Sequence, residues 1–203
     1  MKRRSFVNLS ALGGVSLMLP LHACFEGKSK LGNLDLENLT GFQKQSFNLL
    51  KTWCDALLLN QVDSPNDIKI HGALYCHACE VVHGRCNEAI YPLMFLADAT
   101  GDKKYLDAAI KLWDWSVNVD GPDGSWLNMM ESDAWKGITV FGAIAIGEAL
   151  HYHGHLLSKE MKAAWEKRLK AAIDYVYETF HFKYSNINYR ATAVYGLYFL
   201  GKY

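Results

Sequence analysis

The sequence predicts an all-α fold, specifically a partial (α/α) toroid built from helical hairpins. From Leu34 onward, apolar residues recur with the spacing of amphipathic helices. The turn glycines Gly101, Gly154 and Gly201 are about fifty residues apart, which is the period of a repeated helical hairpin. Segment 139–150, TVFGAIAIGEAL, is apolar all round, whereas the helix after Ser158 has one apolar stripe. Buried helices alternating with half-exposed ones favour a toroid over a generic bundle or a solenoid of helix pairs.

The predicted helices follow from periodicity and from stop signals. The first carries apolar positions from Phe42 to Leu58 and ends near Asn60. Later helices are predicted at 87–99, 103–118, 135–153 and 158–180, and the last from about Asn188. Pro92 would cost about 3 kcal/mol inside a helix. The second helix therefore either begins near Tyr91, with Pro92 in its first turn, or is kinked there.

Residues 1–24 have the features of an export signal. A basic start precedes an apolar run, 11–21, that is too short to cross a bilayer. Residues 3–7, RRSFV, resemble the twin-arginine motif. Residues 21–24, LHAC, resemble a lipoprotein cleavage box, which predicts an outer-membrane lipid anchor on Cys24 unless Cys24 is an ordinary residue near a cleavage site. We expect an exported protein, in the periplasm or at the cell surface, whose catalytic domain spans residues 25–203.

Charge and composition narrow the classes of partner. The 21 basic and 21 acidic residues give a formal net charge of zero, which argues against nucleic acid as a partner. Aromatic residues make up 13% of the chain. Aromatic side chains build cores first, but they also provide the flat apolar faces on which sugar rings stack. The composition is therefore compatible with a carbohydrate partner and does not by itself identify one.

Three long, chemically rich connections lead into the helices that are predicted to be buried. They cover residues 61–86, 119–134 and 181–189, whereas the alternate turns are short. Alternate connections of a hairpin repeat lie at the same end, so the three loops should converge on one cleft. Helix N-termini at that end favour anionic groups, and function concentrates on loops that a rigid scaffold holds.

The residue types in these loops suit a sugar site. Hydrolysis requires two carboxylates. Elimination from a uronic acid instead requires a Tyr or His base and an amide or arginine that stabilises charge at the carboxylate. The predicted catalytic residues are Glu131, Asp133, His83 and Tyr189. The predicted substrate-binding residues are Arg85, Asn87, Glu88, Trp126, Trp135, Asn188 and Arg190.

The stretch CHACEVVHGRCNE, residues 76–88, also has the composition of a zinc site. Cys76, Cys79, His83 and Cys86 would be the ligands. On a straight helix the outer two would be about 15 Å apart, so a shared ion requires an irregular backbone. A disulfide and free thiols remain the alternatives. No cofactor is required by the predicted chemistry, and a zinc ion would be structural.

Two segments carry a resemblance to a known superfamily. HGRCNEAIYPLMFLADATGDKKYLDAAIKLWDW, 83–115, and NINYRATAVYGLYFLGKY, 186–203, resemble exported bacterial six-hairpin glycosidases and the related toroid polysaccharide lyases. The resemblance implies an enzyme that cleaves glycosidic bonds of poly- or oligosaccharides, including those that contain uronic acids. Hydrolysis ranks first and β-elimination second. A non-catalytic glycan-binding or helical scaffold protein, or a zinc-stabilised repeat that binds protein, is the alternative of another class.

The end of the sequence repeats an earlier turn. Residues 200–203, LGKY, resemble the turn TGDKKY at 100–105, after which an outer helix is expected. A closed toroid of six hairpins needs about 300 residues at this period. The sequence therefore predicts an N-terminal fragment of a longer enzyme.

Overall fold

The computed structural model describes residues 36–180 and 187–200. Most of these residues are helical, and the strands among them form one two-residue antiparallel pair, so the all-α fold class is confirmed. The predicted export signal and Cys24 lie outside the described residues. Within the described part, no helix combines the length and the apolar character needed to span a bilayer.

Six α-helices organise the described chain. They are α1 (Gly41–Leu59), α2 (Ile90–Thr100), α3 (Lys103–Trp115), α4 (Ile138–His153), α5 (Lys159–Thr179) and α6 (Ile187–Leu200). Three short 3₁₀ helices cover Gly84–Ala89, Ser116–Val119 and Gly154–Leu156. The strands β1 (Tyr75–Cys76) and β2 (Val81–Val82) pair in the first long loop.

Local signals in the sequence explain where these helices begin and end. The side chains of Thr40, Asp102 and Ser158 each accept a hydrogen bond from a backbone N–H in the first turn of α1, α3 and α5. Gly101 ends α2 with a φ of 70°, a left-handed conformation that glycine adopts readily. Pro92 is the third residue of α2, so its missing N–H costs no intrahelical bond.

The hairpins pack side by side. Helix α4 contacts α2, α5 and α6, and α3 packs against α2. Between the outer helices, the indole rings of Trp113 in α3 and Trp165 in α5 stack with their centroids 4.3 Å apart. The all-round apolar α4 is buried on several sides, as its sequence predicts, and α5 buries one stripe. The closure of such hairpins into a toroid stays a prediction.

Three helix boundaries differ from the predictions, and so does the burial of the apolar positions of α1. The second helix starts at Ile90 because 84–89 is a 3₁₀ helix, and the third ends at Trp115, which leaves Val117 61% exposed. The fourth starts at Ile138 because the chain folds back before it and lays the Trp135 ring over Gly137. In α1 only Cys54 is buried, since this helix packs against α2 and α3 along one narrow face.

Candidate functional site

The first and second long loops are in direct contact at Gly84. The backbone N–H of Gly84 donates a hydrogen bond to the carbonyl of Asn128, with an N–O distance of 2.9 Å. The approach is so close that a Cβ on Gly84 would lie 2.1 Å from the carbonyl oxygen of Leu127. Only glycine fits there without displacing backbone. The contact places the start of the 3₁₀ helix Gly84–Ala89 against the second loop.

The substitution Gly84→Ala is therefore expected to lower the free energy of unfolding by about 1–3 kcal/mol. The new methyl group would meet a backbone carbonyl, which cannot rotate away as a side chain can. Denaturant unfolding of the variant beside the parent protein measures the loss. Gly41→Ala is the matched control, because nothing lies within 4 Å of a Cβ at that position. Equal stability of the two variants would contradict the predicted role of the contact.

The second loop meets the start of α6 through aromatic rings. Trp135 and Tyr189 pack edge to face with centroids 5.6 Å apart, and Phe141 of α4 lies 5.5 Å from Tyr189. The guanidinium of Arg85, from the first loop, lies 6.0 Å from the centre of the Phe141 ring. We call these four residues, Arg85, Trp135, Phe141 and Tyr189, the Phe141 surface. It joins groups from all three connections at the N-terminal ends of α2, α4 and α6.

The polar residues that flank Arg85 in the chain are partly withdrawn from water. Burial raises the pKa of Glu88, and the charge of Arg85, whose Nε lies 3.6 Å from Glu88 Oε1, opposes that shift. Burial and then the charge of Arg85 lower the pKa of His83, which favours the neutral imidazole. Asn87 is 5% exposed, and its Oδ1 has no hydrogen-bond partner among the described residues.

The other predicted site residues differ in exposure. Glu131 and Asp133 are exposed on the second loop, Asn188 is exposed at the start of α6, and Arg190 is half-buried. Residues 181–186 of the third loop lie outside the described residues. Phe141, which contacts both Arg85 and Tyr189, is absent from the predicted set. Its position inside a uniformly apolar helix carries no signal that would single it out.

Trp126 does not have the exposure that the predicted sugar platform needs. It is 4% exposed, and its ring packs edge to face on Trp113 with centroids 6.4 Å apart. Gly142 of α4 approaches so closely that a Cβ there would lie 2.7 Å from the indole. Side chains and backbone of α3 and α4 therefore shield Trp126 from solvent. Trp135, 46% exposed, is the tryptophan of this loop that a sugar can reach.

The Cys/His stretch is irregular, as a metal site would require. Cys76, Cys79 and His83 each offer one ligand atom, and these atoms all lie within 4.8 Å of one another. The Sγ of Cys86 lies 3.9 Å from His83 Nε2. The four described cysteines are free, so the disulfide, one of the alternatives that the sequence left open, is not formed among them. The donor set is one that zinc accepts.

A second group of histidines lies at the other end of the helices. The carboxylate of Asp98, near the C-terminus of α2, contacts His153 Nδ1 at 2.9 Å and His155 Nε2 at 3.1 Å. His153 is the last residue of α4 and His155 follows it, whereas the Phe141 surface lies by the beginning of this helix. This cluster joins two hairpins and is separate from the candidate site.

Comparison with known proteins identifies relatives of the chain. The model of the Ulvan lyase N-terminal domain matches residues 50–203, which include all three loops. A broad-specificity ulvan lyase from Formosa agariphila is 42% identical over 202 residues, which cover 99% of this chain and 31% of that protein. The chain thus spans about a third of the length of this relative. No solved structure matches it. The chain belongs to the ulvan lyase N-terminal domain family, and so to a family of polysaccharide lyases.

Proposed function

We propose that this chain forms one wall of the active site of an exported lyase that cleaves ulvan, a uronic-acid-containing polysaccharide, by β-elimination. The family match and the name of the relative support elimination, which the sequence ranks second. They give no support to hydrolysis, which the sequence ranks first. Export rests on the leader at residues 1–24 and is part of the proposal.

The reaction sets clear requirements. A base removes the proton from C5 of the uronic acid, and negative charge develops toward the C5 carboxylate. The electron pair then forms the C4–C5 double bond as the C4–O4 bond breaks, and O4 leaves with a proton. The site must therefore provide a donor or cation for the carboxylate and a group that transfers protons.

The Phe141 surface offers groups of both kinds. Arg85 is exposed, and its guanidinium can bind a carboxylate through two parallel hydrogen bonds. Tyr189 packs in T-shaped contacts with the rings of Trp135 and Phe141, which restrain the position of its ring. We assign Tyr189 to proton transfer and Arg85, with Arg190, to the carboxylate. Trp135 provides the exposed face on which a sugar ring stacks.

The observation that carries the proposal is the contact of the first and third connections through one ring, Phe141. A cation and a phenol are thereby held on the same apolar side chain. Elimination needs such a pair on one sugar, because the carboxylate and the C5 proton belong to adjacent atoms. A cation and a phenol at opposite ends of the helices could not act on the same sugar.

Digestion of ulvan by the protein at its natural length tests the reaction class. We expect ultraviolet absorbance from the unsaturated uronate to rise in proportion to new reducing ends. New reducing ends without that absorbance would show hydrolysis. Retention of ulvan on the protein with neither signal would show a binding protein. Either of these two results overturns the proposal.

A further inference from the structure

We propose that Cys76, Cys79, His83 and Cys86 bind one zinc ion, which crosslinks the β1–β2 hairpin to the start of the 3₁₀ helix Gly84–Ala89. This site is separate from the proposed chemistry and does not rest on it. It also changes the role of His83, because an imidazole bound to zinc cannot serve as a proton acceptor.

Three of the four proposed ligands lie close together. The ligand atoms of Cys76, Cys79 and His83 lie within 4.8 Å of one another. Zinc binds thiolate sulfur at about 2.3 Å and imidazole nitrogen at about 2.0 Å, so neighbouring tetrahedral ligands are about 3.5–3.8 Å apart. Side-chain movements of about 1 Å, within rotamer freedom, close the remaining gap.

Cys86 is the proposed fourth ligand, and its side chain must turn toward the other three, because its Sγ lies outside the group of atoms within 4.8 Å of one another. Its Sγ lies 3.9 Å from His83 Nε2, a separation close to that of two ligands on one ion. Zinc binds cysteine as the thiolate, so binding would release the thiol proton of Cys86.

The backbone presents the first two thiols together. Cys76 ends β1, and its carbonyl accepts hydrogen bonds from the N–H groups of Cys79 at 3.2 Å and Glu80 at 2.7 Å. Glu80 has a φ of 58°, which is uncommon for a residue with a side chain. The tight turn brings two cysteines, separated by two residues, to one side of the hairpin, which is a common ligand arrangement in structural zinc sites.

The neighbouring histidine has another partner. His77 Nε2 lies 2.8 Å from Asn60 Oδ1, and its ring packs edge to face on Tyr75 with centroids 5.0 Å apart. The donor set therefore contains three thiols and one imidazole. His77 also provides a matched control, since it lies in the same turn as the ligands and is directed elsewhere.

The ion would fix the geometry of the residues that follow. His83 immediately precedes the 3₁₀ helix that carries Arg85, Asn87 and Glu88. The first loop otherwise holds this helix through the short β1–β2 pair and the Gly84 contact. Zinc coordination would add a further restraint on the backbone just before Arg85.

Metal analysis of the protein at its natural length tests the site. After purification without chelator from zinc-supplemented medium, we expect about one zinc per chain by mass spectrometry. Cys76→Ser and His83→Ala should lose the metal, whereas His77→Ala should keep it. Cobalt added to the metal-free protein should give the visible bands of a tetrahedral thiolate complex. A chelator should lower the Tm of the parent protein and leave that of Cys76→Ser unchanged.

Two results would overturn the zinc site. The first is that the parent protein contains no zinc, gives no visible bands with cobalt, and keeps its Tm when chelator is added. The other is a Cys76–Cys79 disulfide in peptide mapping of protein purified in the presence of zinc. Zinc content and cobalt spectra of the parent protein decide the matter even where a variant fails to fold. Neither measurement uses substrate, so the outcome is independent of ulvan cleavage.

Discussion

Tyr189→Phe is expected to lower the kcat of ulvan cleavage by a factor of about 10²–10⁴, the usual contribution of a positioned proton-transfer group. The substitution removes one hydroxyl and keeps the ring. The contacts with Trp135 at 5.6 Å and Phe141 at 5.5 Å can therefore persist, and the Tm should change little. Initial rates from the unsaturated product, measured beside thermal unfolding, separate loss of chemistry from loss of fold.

Tyr177→Phe is the matched control for this substitution. Tyr177 lies on α5 and is 73% exposed, outside the Phe141 surface. Its loss of a hydroxyl should leave kcat unchanged. A Tyr189→Phe enzyme with near-normal kcat would contradict the assignment of the phenol to proton transfer, and the base would then have to be sought elsewhere in the protein.

Trp165→Ala is expected to lower the free energy of unfolding by about 3–5 kcal/mol, the cost of truncating a large buried aromatic residue. Trp165 is 1% exposed and stacks on Trp113 with centroids 4.3 Å apart. The Arg168 guanidinium lies 4.1 Å from the centre of the Trp113 ring, so the cavity would also loosen this cation–π contact. Urea unfolding measures the loss.

Trp53→Ala is the matched control for the core substitution, because Trp53 is 61% exposed on α1. A change of at most about 0.5 kcal/mol is expected there. Trp165→Phe keeps an aromatic ring and should fall between the two, which provides a measurement if the alanine variant does not accumulate. Equal costs for Trp165→Ala and Trp53→Ala would contradict the packing of α3 on α5.

The helices could be predicted because their signals are local. Ser158 and Gly101 mark helix ends through their own backbone and side-chain chemistry, and the stripe on α5 reflects a regular period. The fourth helix begins at Ile138 and not at residue 135 as predicted, and this difference has a different origin. The fold-back of Trp135 over Gly137 depends on contacts with Tyr189, which is distant in sequence.

The residue types of the candidate site could be predicted from the sequence, but the burial and local backbone of several of them could not. Trp126 and Trp135 occur in the same polar loop, yet only the packing of α3 and α4 decides that Trp126 is buried. The β1–β2 hairpin was also missed, since the left-handed Glu80 is not a residue that signals a turn. The reaction class could not be decided, because the loops contain residues for both hydrolysis and elimination.

Phe141 has a consequence for how the proposed site can diverge among related chains. One side chain on a buried helix contacts both the cation of the first loop and the phenol at the start of α6. A larger or smaller residue at this position would shift both groups together. A single codon change can therefore widen or narrow the gap between them while every loop keeps its length. Under the proposed assignment of Arg85 and Tyr189, such a change would alter which sugar the site accepts.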